Sequence, residues 1–345
     1  MTFDELLATY EPRLAVAFRE AVDHIKSSII LARVVERLER GDVNGAIEAM
    51  QLEPEAFSAL EIALQEAFNA GGTNAVGELP KVMDPQDNRV IWRFGVRNPV
   101  AEAILRDLSS TMVTHITEDQ RQGVRQALEQ GLARGANPRA TALDVVGRQN
   151  RVTGRREGGV IGLTRYQIEF IDRARGNLAS GDPDLMKKYF ELKTRDKRFD
   201  RSVSTAIREG KPITGETLTR IIGRLNDKNL LLRGEMLART ETMMALGSAR
   251  DEAIRQQIEA GKVQAQDVTK IWRSAGDSRV RHTHRVLNGK GVGIVETFQS
   301  PSGALLRYPG DPRAPIMETS GCRCRLEYKI DYIGAVVRRY RAEVA

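Results

Sequence analysis

Val268-Thr-Lys-Ile-Trp-Arg273, Arg279-Val-Arg-His-Thr-His-Arg285 and Cys322-Arg-Cys-Arg-Leu-Glu-Tyr-Lys-Ile330 decide the fold, because a helical chain changes character there. The first stretch has the β-branched and aromatic residues of a strand. The second alternates like a strand or starts a helix. Asn288-Gly289 then gives a two-residue hairpin signal, with Val292-Gly-Ile-Val295 after it. Phe298 to Arg307 reads as a looser hairpin turning at Pro301-Ser-Gly303. Tyr308 to Pro315 is an extended loop held by its prolines, and Cys322 to Ile330 is a last strand. A small mixed unit therefore closes the chain.

Everything upstream reads as helix. Leu6, Leu7, Tyr10, Leu14 and Ala17 recur at helical spacing, as do Ile25, Ile29, Val34 and Leu38, and Gly41 stops that run. Asp42 or Asn44 opens the next turn, and Glu53-Pro54 marks another break. A helix over 56–70 should end at Gly71-Gly72. Val90 to Phe94 is a strand or a buried loop anchor. Thr117 and Gln120 have capping-box spacing. Val124, Leu128 and Leu132 then lead to Gly135, and Asn137-Pro138 supplies an N-cap and a first-turn proline for a short helix ending at Gly147. Helices resume over 163–178 and near Leu185. Thr214 opens one through Leu225, and Asn226 or Asp227 caps a longer one that Gly247 weakens without ending. The fold class is α+β: a predominantly helical N-terminal two-thirds with a small C-terminal mixed α/β, hairpin-containing domain.

The chain has 345 residues, 53 Lys+Arg and 46 Asp+Glu, a formal charge of +7, and 5% aromatic residues. That length suits two or three domains, and the low aromatic share argues against a large β-sandwich. No stretch approaches the apolar length of a membrane span. The start carries acids where a secretory signal needs bases, and two cysteines cannot staple a secreted scaffold. The expectation is a soluble protein of a reducing cytoplasm, or one packed into something assembled there, with no membrane contact. Charge divides the chain: residues 1–100 carry −6 and 101–345 carry +13. We read an acidic helical region over 1–99, a basic helical region over 100–213 with a flexible loop at 148–162, a mixed domain over 214–335 and a basic tail over 336–345.

Basic residues gather at Arg148, Arg151, Arg155 and Arg156 among glycines, and again at Lys187, Lys188, Lys193, Arg195, Lys197 and Arg198 with Tyr189, Phe190 and Phe199 between them. Such interleaving can contact phosphates. It can equally be a solvated helical face whose aromatics point inward, and the interspersed acids favour that reading.

The soft ligands come in pairs: His282 with His284, and Cys322 with Cys324. On strands, positions two apart share a face, so two strands could assemble a Cys₂His₂ set for a structural zinc. The alternative is two small buried thiols in a strand. Asp277 could accept from Arg279 or Arg281 and fix the turn, or form an acid–base pair with His284. No nucleophile elbow, Walker loop or His-Glu-x-x-His is present, so the chain is not expected to be an enzyme.

The order of these pieces resembles a known family. Ala238-Arg239-Thr240-Glu241 lies on a helix. Trp272, Asp277, Arg279, Arg281, His284, Asn288-Gly289, Pro309-Gly310-Asp311-Pro312 and Cys322-Arg-Cys324 follow in turn. This series is similar to the phage Mu F-like head-morphogenesis domain of minor head proteins, over roughly residues 215–330 by its motifs. The stretch Thr117–Gly147 resembles the helical region before that domain. His282 departs from the family pattern, which often has Pro there. The resemblance implies a structural minor capsid protein in the virion head near the portal, assembled in the host cytoplasm. It implies the portal and the major capsid or scaffold as partners, with double-stranded DNA a further one. A metal-dependent nucleic-acid enzyme using Asp277, His284 and the cysteines is the alternative, and a cytoplasmic DNA-binding protein the second. Within the fold, Arg239 or Glu241 should reach into the β unit and lock helix to sheet.

Overall fold

The computed structural model describes residues 1–83, 87–332, 334 and 338. The helices in chain order are α1 (Phe3–Ser28), α2 (Leu31–Glu39), α3 (Val43–Glu48), α4 (Ser58–Gly77), α5 (Pro99–Ala133) and α6 (Pro138–Val146), then α7 (Arg165–Ala179), α8 (Pro183–Lys187), α9 (Asp200–Glu209) and α10 (Gly215–Glu259), and last the short α11 (His282–Leu287) and α12 (Ile316–Thr319). The strands are β1 (Arg148–Gln149), β2 (Arg156–Glu157), β3 (Val268–Arg273), β4 (Gly291–Gly293), β5 (Phe298–Gln299), β6 (Leu305–Leu306) and β7 (Arg325–Ile330). The helical front and small stranded end are as the sequence implies. None of the described helices is long and apolar enough to cross a membrane.

The chain divides into two compact units of interleaved segments. One comprises Met1–Ala15, Leu60–Met112 and Glu235–Ala345, the other Val16–Ala59 and Val113–Gly234. The basic tail over 336–345 lies outside the described residues, Arg338 excepted.

The first unit is organised by β3, which pairs antiparallel with β4 on one side and β7 on the other. Val268, Lys270 and Trp272 share its buried face, as period-two alternation requires. Trp272 is fully buried and meets the His284 ring at 4.9 Å and the Phe298 ring at 5.3 Å, both edge-on. Met243 and Leu246 of α10 complete that core. β5 pairs with β6 as the looser hairpin predicts.

Two glycines explain how the proline loop reaches α10. At Gly247 a Cβ would lie 2.8 Å from the Pro309 carbonyl oxygen. Gly310 has φ +77° and a Cβ there would meet the Met243 backbone at 3.1 Å. Loop and helix thus approach backbone to backbone, which only glycine permits on both sides. The loop is braced by Asp311, which accepts from the Arg307 side chain and from the backbone N–H groups of Arg307 and Arg313.

Several expectations need correction. Thr117 and Gln120 are no cap: both are buried in the interior of α5, whose apolar face continues through them. The capping box forms instead at Thr164 and Gln167. α4 runs past Gly71-Gly72 to Gly77, because those glycines make room for the Leu246 backbone and the Phe94 ring. The two helices expected over 214–260 are one, α10, since Asn226 and Asp227 are interior helical positions, Asn226 buried and Asp227 accepting from the Gly158 N–H. Asn288-Gly289 joins a helix, not a strand, to β4: Gly289 has φ +82° and its N–H donates to the Trp272 carbonyl. Asn137, Pro138, Gly135 and Gly147 play the roles read from the sequence.

In the second unit, residues 148–162 fold into the β1–β2 hairpin and a packed turn. Gly159 has φ +78° and a Cβ would meet the Val145 carbonyl at 2.6 Å. The buried Lys26 ammonium donates to the Gly158 carbonyl at 2.8 Å, while Asp227 accepts from the Gly158 N–H at 2.7 Å. Arg233 donates to the Gly162 carbonyl at 2.9 Å and pairs with Asp119. The composition that suggests a linker serves close backbone packing instead.

Candidate functional site

The chemistry of the first unit converges where α11, the α12 segment and the approach to β7 meet. His284 lies on α11, two residues after His282, with Thr283 between them. Arg281 fixes that helix from its N-terminal side, donating to the carbonyls of Glu318 at 2.6 Å and of Ser320. The Gly321 N–H donates to the Thr240 hydroxyl of α10 at 3.0 Å, which seats the cysteine segment on the long helix.

The result is a buried cluster. Nδ1 of His284 lies 3.5 Å from Sγ of Cys322 and 3.5 Å from Sγ of Cys324. The three ligand atoms all fall within 4.8 Å of one another. On the opposite edge of the ring, Nε2 lies 2.9 Å from Oε2 of Glu318, close to it without the alignment of a full hydrogen bond. Glu318 also accepts from the hydroxyls of Thr283 at 2.9 Å, Ser300 at 3.1 Å and Ser302 at 2.6 Å. Burial would raise its pKa, but these donors and His284 hold it below the ordinary carboxylate value. His284, Cys322, Cys324 and Glu318 are 1% to 4% exposed.

The thiols behave as one coupled group. Cys322 is held well below an ordinary thiol, first by the Cys324 thiol that donates to it, with His284 adding to this against burial. Cys324 is pushed far up, first by the same contact and then by burial. The two thiols therefore titrate together, as a pair. The Trp272 indole N–H is buried with no hydrogen-bond partner among the described residues.

Around this cluster the ion pairs differ from those expected. Asp277 pairs bidentately with Arg323, the residue between the cysteines, at 2.5 Å through each nitrogen. That contact, first of all, pulls its carboxyl down to about 2. Arg279 supplies its backbone N–H and a longer 3.6 Å contact. Arg281 is committed to carbonyls, so the expected Asp277–Arg281 and Asp277–His284 pairs do not form. Arg325 pairs with Asp4. Asn288 accepts from the Ser274 N–H, which closes the turn after β3.

Three of the four suggested ligands meet, and His282 does not: it is exposed on the first residue of α11. The strand argument fails here because both histidines are helical, where positions two apart diverge. Both cysteines also precede β7. Glu318 and the serines had no signal in the sequence, since each is an ordinary polar residue on a short helix or turn. Lys270 was also missed. Fully buried on β3, it donates to the carbonyls of Glu296 at 2.8 Å and Arg307 at 2.9 Å, and burial lowers its pKa. A charged residue on the inward phase of a strand is the signal that could have found it.

On α10, Arg239 pairs bidentately with Glu11 of α1 at 2.9–3.1 Å, not with the sheet. Glu241 is half-buried with no ion pair among the described residues, and desolvation raises its carboxyl to about 7. Thr240 is the residue of this motif that holds the C-terminal segment.

The basic residues of the second unit are largely spent on near neighbours. Arg148 pairs with Asp144, Arg155 with Asp23, Lys187 with Asp184, Arg195 with Asp200 and Arg198 with Asp196. Arg156 donates to the Gly147 carbonyl. Arg151, Lys188, Lys193 and Lys197 are exposed and make no ion pair among the described residues. Tyr189 is buried and donates to the Asp196 carbonyl, and Phe199 lies under the Arg220 guanidinium.

Chemically, Cys322, His284 and Glu318 stand in the order of nucleophile, base and orienting acid. Their burial keeps that nucleophile out of reach of a substrate in solvent. The same set, with Cys324, is well suited to holding a soft cation.

Comparison with known proteins points the same way as the motif order. Residues 199–327 match the family described as Phage Mu protein F like protein. A curated relative, minor head protein GP7 of Bacillus phage SPP1, is 32% identical over 142 residues. That covers 41% of this chain and 44% of the relative, so less than half of the relative's length is matched. No solved structure matches this chain.

Proposed function

We propose that this chain, whose residues 199–327 match the family described as Phage Mu protein F like protein, is a structural minor head protein of a phage virion that acts in head assembly beside the portal. The observation that carries the reading is the coincidence of the family match with the compact β3-centred unit. The motif residues Thr240, Trp272, Asp277, His284, Gly310, Asp311, Cys322 and Cys324 all serve there to brace loops against β3 and α10. Such contacts hold short strands and loops together, which suits a part that docks and does not turn over substrate. Burial of the Cys322–His284 pair counts against the enzyme reading.

Helix docking onto a portal or capsid subunit through the exposed apolar residues of the first unit, such as Ile62, Val96 and Val100, supplies the contact. Co-expression with the portal protein of the same phage tests this. The expected result is co-elution of the chain with the portal ring. Separate elution, with both partners folded, removes the portal from the reading.

DNA contact is a second and weaker element of the proposal. It rests on Arg151, Lys188, Lys193 and Lys197, which are exposed and make no ion pair among the described residues. If all four meet phosphates of duplex DNA, log affinity falls against log salt with a slope of about −3.6. A salt-independent or absent interaction eliminates it.

A further inference from the structure

We infer that His284, Cys322 and Cys324 bind one zinc ion through Nδ1 and the two thiolates, with Glu318 orienting the imidazole from its far side. The inference concerns these residues alone and stands apart from the head-assembly reading.

The geometry fits in three respects. A tetrahedral zinc with Zn–S near 2.3 Å and Zn–N near 2.1 Å places nitrogen and sulfur about 3.6 Å apart. Nδ1 lies 3.5 Å from both sulfurs. The equality of the two distances matters more than either value. A neutral imidazole nitrogen has a single lone pair or a single proton, so it can satisfy one thiol and not two. A cation seated between the three atoms satisfies all of them.

Glu318 decides which nitrogen is free. Its four acceptor sites face Thr283, Ser300, Ser302 and Nε2 of His284. An anionic carboxylate 2.9 Å from Nε2 favours the proton on that nitrogen and leaves the Nδ1 lone pair directed at the sulfurs. Carboxylate, imidazole and metal in sequence is the usual outer support of a zinc-bound histidine.

Sulfur donors of this kind select zinc over calcium or magnesium. Binding replaces two S–H bonds with two Zn–S bonds, and both protons leave to solvent. The protein offers three donors, so the fourth position is left to an exogenous ligand, water being the simplest. His282 is not a ligand, because it is exposed and outside the group. Arg323, between the cysteines, is turned away to Asp277 and does not compete for the thiolates.

The test is metal analysis of the full chain, expressed with zinc in the medium and dialysed exhaustively against metal-free buffer. The expected content is about one zinc per chain, retained in His282→Ala and lost in His284→Ala and Cys322→Ser. Zinc absent from the wild type, or present equally in wild type and Cys322→Ser, overturns the proposal. So does a Cys322–Cys324 disulfide in protein purified under reducing conditions. Should the variants fail to fold, the wild type alone decides. A thiol-free chelator should lower its Tm and added zinc should restore it, whereas a Tm indifferent to both contradicts the site.

Discussion

The β3-centred region and the basic segment over 148–201 show opposite relations between sequence and space. In the basic segment, charges crowd together along the chain and look like one surface. In the fold most of them are consumed locally: Arg148 by Asp144, Lys187 by Asp184, Arg195 by Asp200, Arg198 by Asp196. In the β3 region, residues far apart in the chain meet in one buried cluster: His284, Glu318, Cys322 and Cys324. A run of charge is solvated cheaply and constrains little, whereas a buried polar group must find partners wherever the fold can bring them. Sequence proximity therefore exaggerated the first region and hid part of the second.

The largest break of this comparison is at Trp272, whose ring closes the core over His284 and Phe298. Trp272→Ala should cost about 3–5 kcal/mol, read as a lowered denaturant midpoint. Replacing Arg151, Lys193 and Lys197 singly by Ala should each change stability by less than about 0.5 kcal/mol in the same assay. If both sets cost the same, the two regions are not distinct in kind.

Next is the contrast between two helix glycines. Gly247→Ala forces a Cβ to within 2.8 Å of the Pro309 carbonyl, and overpacking of about 1–3 kcal/mol should outweigh the helix-propensity gain of about 1 kcal/mol. Gly176 on α7 has nothing within 4 Å of a built Cβ, so Gly176→Ala should stabilise by about 0.5–1 kcal/mol.

Two carboxylates sharpen the comparison through pH. Glu241 has its pKa raised from 4.5 to about 7 by burial. The folded state therefore holds a proton that the unfolded state has released. Its stabilising share is complete below the lower value and is lost as pH rises through the upper one. Glu241→Gln should remove that decline and gain about 1–3 kcal/mol at pH 8, seen in denaturation at two pH values. Asp277 is the reverse case, lowered from 3.8 to about 2 chiefly by Arg323. Its contribution is present above the higher value and lost as pH falls through the lower. Asp277→Asn should flatten the acid limb of the stability profile, the smallest of these effects, since the pair is partly exposed.

Much of the fold was legible because it rests on local rules. Asn137-Pro138, Gly135 and Gly147 set α6, the β-branched run set β3, and the Pro301–Gly303 turn set the β5–β6 hairpin. Misreadings arose where tertiary packing overrode a local signal: Gly71-Gly72 lies inside a helix to admit Leu246 and Phe94, and Asn288-Gly289 turns a helix into a strand. At the candidate site, His284, Cys322 and Cys324 stood out by residue type and paired spacing. Glu318, Ser300 and Ser302 could not, because only the β5–β6 turn and α12 bring them to the imidazole. Of the partners expected for Asp277, Arg279 makes a longer contact and Arg281 none, while the closest partner, Arg323, reaches it through the fold and not along the chain.

Quantitative mass spectrometry of purified phage particles tests the central claim of a structural head role most directly. The chain should be present in proheads at a low and fixed copy number relative to the portal protein. Its absence from both proheads and finished particles, with the chain abundant in the infected cell, would contradict the account.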